Sequence, residues 1–184
     1  MLTVTGGVLT GKRQRGVSLA ELMIGIAILG ILLASALPEF STWIQNTRIR
    51  TAAESILSGL QLARTEAVRR NLNVQFVFGT GSTWTVSVPS TLEQIQTRSS
   101  AEGSTESVTV TKTPAAATTI TFNSLGRTTA NADASAAITQ IDVDVPAAVL
   151  AAARSRELRI TIGAGGNVRM CDPNVTVSTD PRYC

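Results

Sequence analysis

Residues 22–37, LMIGIAILGILLASAL, carry no formal charge, and a run of this kind limits what the chain can become before anything else about it is known. It is a little short of the roughly 20 residues that cross a bilayer as a helix, but the preceding VSLAE supplies the missing length. That addition brings in Glu21, and a carboxylate in such a segment costs about 2.5 to 3.5 kcal/mol on insertion scales, so it persists where it has a partner or a task. Lys12, Arg13 and Arg15 stand ahead of the run with no acid among them. Three fates fit this layout. A secretory signal would be cut at the A-x-A-like Ala34, Ser35 and Ala36. An uncleaved anchor would keep its basic flank in the cytoplasm. A leader cut after Gly16 would leave the whole apolar segment on the mature chain. Only the third gives Glu21 an ammonium partner, the new α-amino group of Val17, four residues away on the same helical face.

The sequence beyond the run favours retention. Pro38 has no backbone N–H, and a kink is expected there, yet EFSTWIQNTRIRTAAESILSGLQLARTEAVRRN resumes a helical pattern at once. Ala53, Ile56, Leu57, Leu60, Ala63 and Ala67 recur at spacings of three and four, which marks one apolar face. Arg48, Arg50, Glu54, Arg64, Arg69 and Arg70 fall largely outside it. The expected helix runs from about Leu19 to Arg70, roughly 75 Å at 1.5 Å per residue. Its first half is apolar all round, and its second half has one face to pack on a domain.

After Asn71 the period changes. NVQFVF and TWTVSV, separated by GTGS, read as a hairpin, and further strands are expected at TTITFN, ITQIDVDV, RELRITIG and NVRMC. Residues 89–117 are rich in Ser, Thr and Ala and read as loops, with a weak strand at SVTVTK. One helix followed by mostly antiparallel strands predicts an α+β domain with the helix covering a sheet face.

Charge and composition exclude several functions. The net charge of +3 is matched by Lys12, Arg13 and Arg15 alone, so the remainder is near neutral and bulk charge makes no case for nucleic acid. The chain has no histidine, which removes the commonest general base and the Ser-His arrangements, and no enzymatic activity is expected. Asp142 and Asp144 share one face of a strand and read as a solvated sheet surface. GTG and GAGG lack the spacing of a phosphate cradle and read as turn glycines needing positive φ.

The stretch RGVSLAELMIGIAILGILLASALPEF resembles the N-terminus of type IV pilins and of the pseudopilins of type II secretion. It has the basic leader, the glycine before the cut, glutamate as the fifth residue after it and a proline further on. It departs from the family's usual pattern at Val17, commonly phenylalanine, and at Ser18-Leu19-Ala20, commonly threonine-leucine-isoleucine. The resemblance implies a class III leader over residues 1–16, cut by a prepilin peptidase between Gly16 and Val17, with N-methylation of Val17. It implies a pilin-like fold: a transmembrane and filament-core helix over 17–40 and a periplasmic globular domain over 41–184.

ITFNSLGRT, LRITIGAGGNVRMCDP, the terminal DPRYC and LQLARTEAVRRN on the helix narrow the resemblance to the GspH/FimT family of minor pilins and pseudopilins. The implied function is a minor pilin of a type IV pilus, at the tip or priming assembly. It would sit first in the inner membrane and then in the filament with other major and minor pilins. A GspH-type pseudopilin, and a soluble periplasmic protein cut after Ala36, stay open. Some relatives resemble competence pilins that take up double-stranded DNA through a GRxR motif. Here Gly166-Asn167-Val168-Arg169 retains only Arg169, with Arg154, Arg156, Arg159 and Arg182 as further positive charge, offset by Glu157, Asp172 and Asp180. Beyond the membrane segment Cys171 and Cys184 would reach an oxidising compartment, where a disulfide between them is expected. Closing that loop is worth about 3 kcal/mol in the chain-entropy model. Two cysteines without histidine are too few for a zinc site, and neither metal nor cofactor is expected.

Overall fold

The computed structural model describes residues 16–102 and 107–184, so Lys12, Arg13, Arg15 and all of the expected leader except Gly16 lie outside the described residues. The chain divides into two units, one ending at Glu39 and the other running from Phe40 to Cys184. A single helix, α1 (Leu19–Arg70), contributes to both. It starts at Ser18, whose hydroxyl oxygen accepts the backbone N–H of Glu21 at 3.2 Å, satisfying one of the orphan donors of the first turn. It continues through Pro38 and ends at Asn71, which takes φ 54°. The N–H of Leu72 then returns to the carbonyl of Ala67 at 3.3 Å, a left-handed closure of the last turn.

The second unit holds nine strands among the described residues: β1 (Val74–Phe78), β2 (Trp84–Val88), β3 (Glu93–Arg98), β4 (Thr109–Thr113), β5 (Thr119–Phe122), β6 (Thr128–Thr129), β7 (Gln140–Asp144), β8 (Leu158–Ile162) and β9 (Val168–Cys171). All their pairings are antiparallel, and they make two sheets of order β3-β2-β1-β5-β6 and β4-β7-β8-β9. The α+β class expected from the sequence is the one observed. Two details differ from the expectation. The strands split between two sheets, joined where the N–H of Ile138 reaches the carbonyl of Thr119 at 3.2 Å and that of Thr139 reaches Thr113 at 2.8 Å. Residues 93–98, read as loop, form the edge strand β3, whose EQIQTR lacks an apolar alternation because only Ile95, Arg98 and no others along it are even half-buried.

The stripe on α1 packs as its spacing requires, with Ile49, Ala52, Ala53, Ile56, Leu60, Ala63 and Ala67 all buried in one core with Val74, Phe76, Trp84, Ile120, Phe122, Ile141 and Ile160. Helix and sheet approach closely at Gly59, where an added methyl would lie 2.8 Å from the Phe76 ring and 2.9 Å from that of Trp84. Those rings stack at 5.5 Å, and the indole N–H of Trp84 donates to Ser55 at 3.0 Å, so the one polar atom of a buried tryptophan is satisfied. Core residues therefore come from both sheets and from the second half of α1.

Candidate functional site

The first site grows from the start of α1. Val17 and Glu21 are exposed, as are the described side chains of residues 19–34, so no described residue covers this apolar surface. The helix includes a window long and apolar enough to cross a membrane, none of it buried. Glu21 is the one charged residue from Leu19 to Leu37 and lies in the first turn, where the positive end of the helix dipole favours a carboxylate. Ser18, Leu19, Ala20 and Glu21 spell the S-x-x-E capping box, a signal present in the sequence that accounts for Ser18 and was missed there. A side chain at Gly16 would meet nothing among the described residues, so packing does not explain the glycine. Phe40 and Trp43, at the start of the second unit, stack at 5.8 Å and both are exposed.

The second site is the C-terminal region. Cys171 and Cys184 are joined, with Cα atoms 5.2 Å apart, as expected. The loop between them is also held by hydrogen bonds. The N–H of Asp172 donates to the carbonyl of Arg182 at 2.8 Å, and the guanidinium of Arg169 donates to the carbonyls of Pro181, at 3.1 Å, and Tyr183. Arg169 thus clasps the terminal loop, a role that its place in the motif did not reveal.

The other arginines of the possible DNA contact are spread over β8, the loop before it and the terminal loop, with Arg156 and Arg182 lining one cleft. Arg159 pairs with Asp142 at 2.6 Å and Arg182 with Asp180 at 2.9 Å, which holds the Asp180 carboxyl below its ordinary range. Arg154 and Arg156 lie in the loop before β8, tied to α1 through Asn46, whose side chain donates to the carbonyl of Arg154 at 3.1 Å and accepts the N–H of Arg156 at 2.9 Å. Asp142 and Asp144 do share a strand face, and each is engaged, Asp142 by Arg159 and Gln140 and Asp144 by the hydroxyl of Ser155. Burial pushes the nearby Glu157 carboxyl upward, and the charges of Asp144 and Asp142 add to the shift. Among the described residues no cluster of His, Cys, Asp or Glu could hold a metal ion.

The turn between β5 and β6 and the turn between β8 and β9 meet at one point. Asn123 organises the turn between β5 and β6, its side chain accepting the N–H groups of Leu125 and Arg127 at 3.0 Å each. At the carbonyl of Gly126, Arg64 of α1 donates at 3.1 Å, and Thr128 donates to Ala164 of the facing turn at 3.1 Å. Gly166 of that turn, with φ 77°, lies so close that an added methyl would fall 1.8 Å from the Gly126 oxygen. NSLGRT and GAGGN are therefore the joint between helix and both sheets.

The family model described as type II transport protein GspH matches residues 52–166, more than half of the chain, and the prokaryotic N-terminal methylation motif matches residues 11–37. Two fimbrial proteins of Pseudomonas aeruginosa are each 42% identical over 57 residues, so the match takes in 31% of this chain and only 36% of those relatives. Two crystal structures of the type IV minor pilin FimU of Pseudomonas aeruginosa are 16% identical over 70% of this chain. They are covered over 95% and 99% of their own length, with TM-scores of 0.47 and 0.45. On the extent of the family match, the chain belongs to the GspH family.

Proposed function

We propose that the protein is a minor pilin of a type IV pilus, held in the inner membrane by the first half of α1 and then built into the filament at its tip or during priming. The observation that carries this reading is Glu21, a lone carboxylate in an apolar helix, one helical turn beyond Val17. Cutting after Gly16 by a prepilin peptidase supplies the ammonium that Glu21 needs, from its own N-terminus or from that of a neighbouring subunit. In a dry bundle of such helices an unpaired carboxylate is strongly unfavourable, so the pair also sets register. Pro38 withholds the N–H that the carbonyl of Ala34 would otherwise accept, and a bend there would let the two halves of α1 serve different surroundings. The exposed Phe40 and Trp43 suit the membrane interface just beyond the span.

A GspH-type pseudopilin of type II secretion is the second reading, favoured by the description of the matching family. A cut after Ala36 has less support, since it would sever a continuous helix. Contact with double-stranded DNA also has less support, because Arg159, Arg169 and Arg182 engage acids or carbonyls of the fold itself. The test is Glu21→Ala expressed in the native host. The variant is processed normally but is depleted in sheared filaments, and normal recovery there overturns the proposal.

A further inference from the structure

A cleft of about 270 Å³ opens in the second unit, lined by Asn46 and Arg50 of α1, by Arg156 and Arg182, and by the apolar side chains of Leu158 and Met170. Most of its polar groups already have partners. Arg50 pairs with Glu54 at 2.8 Å and Arg182 with Asp180 at 2.9 Å. Both ends of the Asn46 amide are held by the loop before β8. Asp172, which also lines the cleft, accepts the N–H of Asn174 at 2.9 Å. The guanidinium of Arg156 makes no hydrogen bond or ion pair among the described residues, although its backbone is fixed by Asn46. One cation without a bonded partner among the described residues thus stands beside half-buried apolar surface, on a loop that Asn46 ties to α1.

We propose that this cleft receives a single carboxylate side chain, flanked by an aliphatic residue, from a segment of another polypeptide. A guanidinium presents two parallel N–H donors that match a carboxylate, and a neighbouring aliphatic side chain covers Leu158 and Met170. The size agrees, since the cleft is smaller than the roughly 300–1,000 Å³ of sites for drug-sized ligands and suits one or two side chains. A nucleic-acid strand fits less well, because Asp172 stands in the wall and Glu54 and Asp180 flank the paired arginines, so a run of phosphates meets repulsion. The proposal is independent of the filament reading.

The experiment titrates the full-length protein in detergent micelles into two fluorescein-labelled peptides, Gly-Leu-Asp-Leu-Gly and Gly-Leu-Asn-Leu-Gly, at low ionic strength. The aspartate peptide binds about tenfold or more tightly than the asparagine peptide, as expected for one charge-assisted contact. Arg156→Gln removes that difference and Arg156→Lys keeps part of it. The Arg156 side chain has no partner among the described residues, so both variants are expected to melt at the wild-type temperature. Equal affinity for the two peptides, no binding of either, or Arg156-dependent binding of a labelled DNA duplex in their place overturns the proposal.

Discussion

Gly166 has φ 77°, and a methyl there would sit 1.8 Å from the backbone oxygen of Gly126, a contact that only movement of the turn could relieve. Gly165, one residue earlier, has no such constraint, since a methyl there meets only the side chain of Asn167 at 3.8 Å. Gly166→Ala is therefore expected to lose about 1–3 kcal/mol for the left-handed backbone, and more for the overlap, whereas Gly165→Ala stays within about 0.5 kcal/mol of wild type. Denaturant midpoints of the two variants in detergent check this, and equal midpoints contradict it. The sequence made the glycines readable as turn residues, because only glycine enters that region freely. It did not make Gly126 readable as the partner, since contact across two sheets leaves no local spacing. Arg169 is a similar case: its charge was plain, but its acceptors are backbone carbonyls of the terminal loop, and carbonyls have no sequence signature.

At the scale of elements, α1 ends in a small ionic hub. Glu66 accepts from Arg69 at 2.6 Å and from Arg70 at 2.7 Å, and Arg70 reaches on to Glu93 of β3 at 2.9 Å, fastening the helix end to an edge strand. The hydrogen bonds of Arg69 and then Arg70 lower the Glu66 carboxyl from its ordinary 4.5 to about 2. A carboxyl with a depressed folded-state value stabilises the fold at neutral pH and loses that contribution as pH falls from about 4.5 towards 2. Wild type is thus more stable than Glu66→Gln at pH 7, and the gap closes over that interval. A gap unchanged between pH 7 and pH 3 contradicts the assignment. The helix was legible from end to end because its stripe of Ile56, Leu60, Ala63 and Ala67 has helical period and Asn71 closes it. β3 was not, because EQIQTR lies at an edge and buries no side chain fully, so its place depends on pairing with β2 and on Arg70.

At the scale of the whole molecule, the second unit has a continuous core, a terminal loop closed by a disulfide and joints between helix and sheets, as a free-standing domain requires. The first unit has the opposite character, with its described apolar side chains exposed. Such surface needs lipid or other helices around it, and Glu21 within it needs a cation. The division was legible in the sequence because one half of α1 is apolar all round and the other has a single stripe. The split into two sheets was not, since alternation along a strand gives its faces and leaves its neighbours open. The central claim, that the apolar segment is kept and begins at a new amino group beside Glu21, is tested most directly by the intact mass and N-terminal sequence of the mature protein from its own host. The account predicts a chain starting at Val17, carrying an N-methyl group. A chain starting at Leu37, or retaining Met1, would contradict it.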